Sequence, residues 1–452
     1  MRPRLSNSTP QGDLFRSRLE NILDRTHELY RLAELLPWEI FEKEFGTLYS
    51  EKKGRPGIPI RLLAGLTYLG HAFGLSDEEV VRRWVENPYW QFFCGESYFQ
   101  HHLPIDPSSM SRWRKRIGEK GARLILKATI EAGLASNCIK DSSLERVSVD
   151  TTVQRKAVTY PTDAKLYNRS RERLVKLARK FDLPLRQSYA RLGPKALLKV
   201  GRYLHARQIK RARREIKRLK TYLGRVYRDI NRKLEQREEL RSVFKEELAM
   251  AERLLSQERK DKDKLYSLHA PEVECIAKGK AHRKYEFGVK VSVAVTNRDN
   301  FVVGMLAEHG NPYDGHTLAK ALEQVQELTG KVVRRCYVDR GYRGHGVNTT
   351  QVFISGRKRG MTPQMKKELK RRSAIEPVIG HMKADGKLDR NYLKGILGDK
   401  INALLCGAGQ NIRILLRKLR EELSYFLFVS LLKRLGRLHS WSQPLVTRLL
   451  TV

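Results

Sequence analysis

A strict two-residue alternation runs from Tyr285 to Val295, and it constrains the local structure more than any other pattern in the chain. A period of two is that of a half-buried β-strand and does not fit a helix. Residues 297–300, Asn-Arg-Asp-Asn, have the composition of a turn, and the chain from Phe301 to Leu306 is apolar again. The segment therefore predicts an antiparallel hairpin. The apolar side of its first strand carries Phe287, Val289, Val291, Val293 and Val295.

The segments on either side of this hairpin predict a mixed α/β domain. Short strands are predicted at Arg146–Asp150, Val332–Val338 and Val352–Ile354, which are rich in β-branched and aromatic residues. A helix is predicted over His316–Leu328, because apolar residues recur there every three or four positions and Gly330 stands where a C-cap would be.

Helical periodicity dominates the rest of the chain, from Leu19 to Gly133, from Thr162 to Leu268 and from Ile396 onward. The middle stretch is strongly basic: residues 202–237 contain fourteen Lys or Arg and three acids. Its apolar positions have coiled-coil-like spacing, which predicts either a helical hairpin with Val243–Leu255 or a contact between two subunits. We favour the hairpin. The apolar seam consists of Ile209, Ile216, Leu219, Leu223, Val226, Ile230 and Leu234.

The charge of the chain limits its partners. The 452 residues include 89 Lys or Arg and 50 Asp or Glu, which gives a formal net charge of +39. A chain this basic repels itself unless a polyanion neutralises it, and binding to phosphates releases counterions. The alternative is a lysine-rich solvated surface without a partner. Because the charge is spread along the chain and not confined to a tail, we expect nucleic-acid binding.

Cysteine usage and hydropathy point to a soluble cytosolic protein. The five cysteines are scattered and form no CxxC pair, which argues for reduced thiols and against a zinc finger or a disulfide framework. The N-terminal segment lacks the apolar core of a signal peptide. The apolar run from Tyr425 to Leu432 is much shorter than the roughly 20 residues that span a bilayer. We expect a cytoplasmic, nucleoid-associated bacterial protein.

Three acids lie at positions that suggest a specific role for their carboxylates. Asp150 lies within or at the end of a hydrophobic strand, and Asp339 ends another and precedes a tight loop. Glu376 lies on the long basic helix predicted after Pro363. Two strand-end acids that face one helical carboxylate can hold two divalent cations, which activate the attacking oxygen and stabilise the leaving oxygen of a phosphoryl transfer. Taken singly, the same residues also fit a strand cap, a turn former and a salt-bridge partner.

The segments around these acids resemble the DDE transposases of bacterial insertion sequences. In Arg372–Lys383, Arg stands four positions before Glu376 and Lys seven positions after it, as in the signature around that family's glutamate. Val338–Gly344 and Val147–Thr152 resemble the segments that carry its two aspartates. Leu369 departs from the signature, which often has Tyr at that position.

The N-terminal region resembles the helical leader of transposases of the insertion sequence five group. The resemblance lies in Gly54–Arg61, Leu75–Glu78 and Asp106–Lys115, so that similarity extends from about Leu36 to Leu416. The helix that begins near Asp106 fits a DNA groove and a capped surface helix equally well.

The resemblance implies an RNase H-like catalytic domain in which Asp150, Asp339 and Glu376 are the catalytic residues and metal ligands. The implied cofactor is two Mg²⁺ ions, with Mn²⁺ as a substitute. Water attack at the transposon end frees a 3′-hydroxyl, which then attacks target DNA. The partner is double-stranded DNA, and joining two ends suggests a homodimer or a larger assembly. Candidate DNA contacts are Arg372, Lys383, His381, Arg340, Arg343, Arg112, Arg114 and Lys115.

We therefore predict a mixed α/β fold: an RNase H-like catalytic domain at 141–161 and 270–395 with a basic helical insertion at 162–269. A helical N-terminal DNA-binding domain is predicted at 1–140 and C-terminal helices at 396–452. Two alternatives stay open, a nuclease of the same fold that cuts without joining and a non-catalytic, domesticated DNA-binding protein.

Overall fold

A computed structural model of the protein describes residues 16–50, 56–258, 261–277, 284–356 and 360–438, with side chains up to residue 425. The segment examined for a signal peptide, residues 1–15, lies outside the described residues, as do Gly54 and Arg55 and the side chains after Tyr425. Within the described part, no helix is long and apolar enough to cross a membrane.

The N-terminal part is helical, as predicted. Helix α5 begins with a capping box, in which Glu79 N donates to Ser76 Oγ and Ser76 N donates to Glu79 Oε2. Helix α7 is kinked at Gly118, whose φ of 60° suits a glycine. The helices are α1 (Leu19–Ile22), α2 (Glu28–Leu35), α3 (Trp38–Gly46), α4 (Ile60–Ala72), α5 (Asp77–Glu86), α6 (Pro88–Phe93) and α7 (Ser108–Ala135).

The described residues include a six-stranded mixed sheet with the order β2-β3-β1-β5-β6, in which β4 also pairs with β3. β1 runs antiparallel to β3 and parallel to β5, and β5 runs parallel to β6. The predicted hairpin is confirmed as β3 and β4, and β1 continues past Asp150 through β-branched residues. The strands are β1 (Arg146–Arg155), β2 (Glu274–Ala277), β3 (Tyr285–Thr296), β4 (Val302–Glu308), β5 (Arg335–Val338) and β6 (Gln351–Ile354).

The insertion lies between β1 and β2 and forms a helical bundle. Its helices are α8 (Asp163–Lys180), α9 (Leu192–His205), α10 (Ile209–Leu234) and α11 (Arg241–Ser256). Leu219, Leu223 and Ile230 of the predicted seam are buried, and α10 packs against α8, α9 and α11. Ile209, the first residue of the predicted seam, is exposed and does not belong to it. The seam therefore closes within the chain, as favoured, although it does so against more helices than the single one predicted.

The prediction of one long helix that carries Glu376 is wrong, because the helix is interrupted. The chain forms α13 (Pro363–Arg371), a 3-10 turn at Arg372–Ala374 and then α14 (Ile375–Ala384). Pro377 explains the break, because its ring would clash with the carbonyl of residue 373 in a continuous α-helix, whereas the first turn of a new helix tolerates it.

The helices that complete the sheet-containing part are α12 (Asp314–Thr329) and α15 (Gly395–Leu438). Gly330 ends α12 in the left-handed conformation, with a φ of 68°, as predicted. The predicted C-terminal helices form one continuous helix through the described residues, and its apolar face is buried, as expected for structural packing.

Two large hydrophobic cores contain most of the buried apolar side chains of the described residues, and a small third cluster consists of Leu19, Leu23 and Tyr30. The main core combines side chains from α2 to α7, the sheet, α12, α14 and α15, so that the N-terminal helices and the sheet share one interior. The second core lies within the insertion and contains no strand residue.

A buried ion cluster lies at the base of the insertion. The ammonium of Lys156, in the turn between β1 and α8, lies 2.7 Å from Glu272 Oε1 and 2.9 Å from Asp399 Oδ1, and all three side chains are buried. Glu272 belongs to the segment that leaves the insertion, and Asp399 belongs to α15. The cluster therefore fixes both ends of the insertion to the C-terminal helix.

Candidate active site

Asp150 and Asp339 lie side by side at the centre of the sheet. Ser148 of β1 is in register with Tyr337 of the parallel strand β5, so Asp150 and Asp339, each two residues further on, lie at the same end of the pair. Burial raises the pKa of Asp150 to about 6, and the negative charge of Asp339 acts in the same direction. Thr151 N, which donates to Asp150 Oδ1 at 2.8 Å, opposes the shift.

A tight turn holds the Asp339 carboxylate. Gly341 N donates to Asp339 Oδ1 at 2.9 Å and so begins the 3-10 turn Arg340–Tyr342. A Cβ on Gly341 would lie 3.0 Å from Asp339 Oδ1 and 3.3 Å from Asp314 Oδ2, closer than side-chain carbons normally come. A side chain at position 341 would therefore push against both carboxylates.

Tyr342 is buried beneath these acids. Its hydroxyl has no hydrogen-bond partner among the described residues, and burial together with Asp150, Asp314 and Asp339 raises its pKa well above the usual value. The phenol therefore stays neutral.

Arg372 lies between the first and third acids. Its Nη1 is 3.7 Å from Asp150 Oδ2 and its Nη2 is 3.4 Å from Glu376 Oε1. Glu376 is on the first turn of α14, with 64% of its side chain exposed. The structure thus brings all three predicted acids into one neighbourhood, but an arginine and not a shared ligand connects Glu376 to Asp150.

Asp314 is a fourth acid at the site, and sequence analysis missed it. Its Oδ1 accepts from Lys290 Nζ at 2.9 Å and from Thr151 Oγ1 at 3.0 Å, while Oδ2 borders Gly341. The predicted helix began two residues later, at His316. The available signal was an acid directly after Pro312-Tyr at the start of a helix, where the helix dipole favours a negative charge.

The donor set fits a divalent cation only in part. The carboxylates of Asp150 and Asp339 are hard oxygen donors that lie side by side. However, no group of three or more His, Cys, Asp or Glu side chains in the described residues has a metal-binding arrangement. Asp150 and Asp339 therefore fit as a ligand pair, and Glu376 joins them only if Arg372 moves.

Most of the predicted DNA contacts lie at the surface. Arg340 and Arg343 are exposed in the loop that follows Asp339, and Arg112 and Lys115 are exposed on α7. Three others lie near Glu376: Arg372 contacts the acids, Lys383 is half-buried, and the exposed His381 pairs with Asp385 at 2.8 Å.

The prediction that Arg114 contacts DNA is wrong. Its side chain is buried and forms a two-pronged ion pair with Asp77 of α5, in which Nη1 donates to Oδ1 at 2.9 Å. A contact with DNA would require this buried guanidinium to leave the interior and give up its ion pair with the half-buried Asp77 carboxylate. The neighbouring Trp113 is also part of the main core, so this side of α7 is structural.

Comparisons with known proteins give two family matches and one curated relative. Residues 17–116 match the family described as a transposase domain (DUF772), and residues 259–408 match the transposase DDE domain. The second range includes Asp339 and Glu376, whereas Asp150 lies in neither. An uncharacterised protein, ORF8 in the nfe locus of Rhizobium meliloti, is 52% identical over 201 residues, which are 44% of this chain and 97% of that protein. No solved structure matches.

Proposed function

This chain belongs to the DDE transposases of insertion sequences, and from that premise we propose that it cuts and joins DNA at the ends of an element of the insertion sequence five group. Family membership implies an RNase H-like catalytic domain, a DNA substrate and dependence on a divalent metal, typically Mg²⁺. The observation that carries the proposal is the position of Asp150 beside Asp339 on neighbouring parallel strands, since Asp150 lies outside the matched families.

In the proposed site, Asp150 and Asp339 hold two Mg²⁺ ions, for which Mn²⁺ substitutes, and Glu376 completes the ligand set. The ions supply activation of the attacking oxygen and stabilisation of the leaving oxygen. Glu376 becomes available when the Arg372 guanidinium turns from the carboxylates to a DNA phosphate, which it can bind through two parallel hydrogen bonds. DNA entry and assembly of the carboxylates are thereby coupled.

Neighbouring residues position the acids in this proposal. Lys290 and Thr151 hold the Asp314 carboxylate next to Gly341, and Gly341 N holds Asp339. The first reaction is hydrolysis that frees a 3′-hydroxyl at the element end, and the second is attack of that hydroxyl on target DNA. Neither requires a covalent bond to the protein.

Contacts with DNA outside the acids are assigned by exposure and charge. Arg340 and Arg343 flank the Asp339 loop, Arg112 and Lys115 lie on α7, and His381 and Lys383 follow Glu376 on α14. We keep the four parts of the chain as functional regions and not as separately packed domains, because the N-terminal helices and α15 share the main core with the sheet. The region at 1–140 is proposed to bind DNA. A homodimer or larger assembly on two DNA ends, in a nucleoid-associated cytoplasmic location, completes the proposal.

The test compares the purified protein with its Asp339→Asn variant on DNA that spans the ends of its own element, with and without Mg²⁺. The wild type should leave 3′-hydroxyl ends that join a second DNA. Asp339→Asn should bind DNA normally and lose cleavage by on the order of 10⁴-fold or more, the scale seen when one member of a catalytic group is removed. Asp182→Asn is the matched control, since Asp182 is an exposed acid of the insertion.

Each outcome has a distinct meaning. Cuts without joined products would identify a nuclease of the same fold. If neither wild type nor Asp339→Asn cuts but both bind, the chain is a non-catalytic DNA-binding protein. Asp314→Asn should retain cleavage at a level about 10- to 100-fold lower and need more Mg²⁺ for half-maximal rate, because it removes the negative charge beside Gly341 and leaves Lys290 without its ion-pair partner next to the Asp339 turn.

A further inference from the structure

One face of α10 carries a row of exposed cationic side chains. The helix contains eleven Lys or Arg and two acids. The apolar seam faces the other helices of the insertion, so the opposite face is turned to solvent. We call this row the basic stripe; it consists of Lys210, Arg214, Lys217, Arg218, Arg225, Arg228 and Arg232.

The acids of α10 neutralise little of the basic stripe. Glu215 is buried and pairs with Arg218 at 2.7 Å. Asp229 is also buried, where its Oδ2 accepts from Arg186 N at 2.8 Å and lies 3.2 Å from Lys233 Nζ. Within the described residues, no carboxylate lies at ion-pair distance from Arg225 or Arg228. Arg232 lies 3.8 Å from Asp229, as Arg218 lies near Glu215. Among the described residues, the other five cations of the basic stripe have no carboxylate at ion-pair distance.

The length and spacing of the basic stripe suit a regular polyanion. Lys210 and Arg232 are 22 residues apart on one continuous helix, which corresponds to about 33 Å at 1.5 Å per residue. One turn of duplex DNA is about 34–36 Å long. Cationic residues recur at intervals of three or four, apart from Thr221, and so stay on one face of the helix.

Arginines converge at the C-terminal half of the basic stripe. Arg225, Arg228 and Arg232, together with Arg186 from the loop after α8, line a pocket of about 420 Å³. Tyr189 stacks on Tyr222 with ring centroids 4.4 Å apart, and Arg225 Nη1 donates to the Tyr189 hydroxyl at 3.1 Å. Planar guanidinium groups held in this way match the geometry of phosphate oxygens.

We propose that the basic stripe of the insertion is a second DNA-binding surface, which holds the phosphate backbone of duplex DNA away from the catalytic acids. The inference rests on the proposed function, which supplies the DNA. Contacts to phosphate carry no sequence information, so the basic stripe binds duplexes of any sequence and anchors DNA on which the catalytic acids act elsewhere. Duplex DNA is favoured over folded RNA, because the basic stripe is straight and about one duplex turn long.

The experiment measures binding and cleavage with the full chain. Arg225→Gln/Arg228→Gln removes two charges at the pocket, and Lys210→Gln/Arg214→Gln removes two at the other end of the basic stripe. Arg241→Gln/Lys245→Gln removes the same charge from exposed positions on α11 and is the control. The probes are duplexes that carry an element end and extend for about two or about five helical turns, a long duplex of scrambled sequence and a structured RNA of equal charge.

Both stripe variants should bind the long duplexes about tenfold more weakly, and the slope of log Kd against log salt should fall by about 1.8, since two phosphate contacts are lost. The control should keep the wild-type slope. Cleavage of the short duplex should fall less in the stripe variants than cleavage of the long duplex that carries an element end. Equal losses in stripe and control variants would indicate bulk charge alone and overturn the proposal, as would losses confined to RNA.

Failure of the two proposals can be told apart. If the wild type cleaves and the stripe variants bind and cut every duplex as it does, the basic stripe is not a DNA site while the transposase mechanism stands. If no protein cleaves but the stripe variants still lose affinity for long duplexes, the basic stripe binds DNA and the catalytic assignment falls. Wild-type thermal unfolding in both stripe variants excludes misfolding as the cause.

Discussion

The main core and the insertion core differ in the sequence separation of the residues that contact one another. In the main core, buried polar contacts join segments far apart in the chain, such as Lys156 with Asp399 and Asn411 with Val302. In the insertion, the helices are consecutive, and their side chains pack on one another within about a hundred residues. The main core therefore depends on a tertiary arrangement, whereas the insertion depends on helical periodicity and connections between neighbours.

The two regions also differ in the charges that they carry. The sheet gathers acids, with Asp150, Asp314 and Asp339 around Tyr342, in a chain that has far fewer acids than bases. The insertion turns its cations outward on α10. The cluster of acids and the outward-facing cations of α10 thus lie on separate structural units, each with its own hydrophobic core.

The largest effect on stability is expected where the two units join. Lys156→Met should lower the free energy of unfolding of the main core by about 3–5 kcal/mol, because Glu272 and Asp399 would remain buried without their cation. Urea unfolding followed by circular dichroism measures the loss. Lys165→Met, at an exposed position on α8, is the control and should change little.

A loss below about 1 kcal/mol in Lys156→Met would show that the carboxylates protonate or become hydrated once the lysine is gone. In that case the ion cluster is not what fixes the insertion to α15, and long-range buried ion pairs contribute little to the stability of the main core.

The next effect tests whether the insertion unfolds independently. Leu223 is fully buried in the insertion core, so Leu223→Ala should destabilise the insertion by about 2–5 kcal/mol through a cavity and lost burial. Hydrogen exchange should speed up in α8 to α11 and remain unchanged in the sheet. Leu204→Ala, an exposed leucine on α9, is the matched control.

Equal acceleration of exchange in the sheet and in the insertion would contradict this expectation. The two cores would then form one cooperative unit, and the division of the molecule would be one of composition alone.

The smallest effect concerns pH and is confined to the main core. His71 is buried on α4, and burial together with nearby Lys387 lowers its pKa well below 6.5. The folded protein holds it neutral, whereas the unfolded chain binds a proton below pH 6.5. Stability should therefore fall as the pH drops below 6.5, with this histidine contributing up to about 1.4 kcal/mol per pH unit.

The pH effect is measured by urea unfolding of the wild type and His71→Gln between pH 7.5 and 5.5. The variant should lose this part of the pH dependence, while His205→Gln, at an exposed position in the insertion, should keep it. A wild type and His71→Gln with parallel pH profiles would show that another group titrates.

Features that depend on residues close in sequence could be predicted, as in the insertion, whereas long-range contacts could not. The β3–β4 hairpin, the capping box at Ser76 and the burial of the α10 seam were predictable, because each depends on residues close in sequence. The break before Glu376 was also encoded locally, by Pro377, and was overlooked. Asp150 and Asp339 could be selected because each ends or follows an apolar strand segment, where an unpaired carboxylate is costly.

The sequence by itself determined the elements, the candidate acids and the excess of positive charge, since periodicity, turn residues and composition act over a few positions. Only the tertiary structure decided that Arg372 lies between Asp150 and Glu376, that Asp314 borders Asp339, and that Arg114 is buried against Asp77. The physical reason is that a long charged side chain can lie exposed at the surface, form an ion pair within the protein or contact a ligand. Which role it takes depends on the burial and partners that distant segments bring to it.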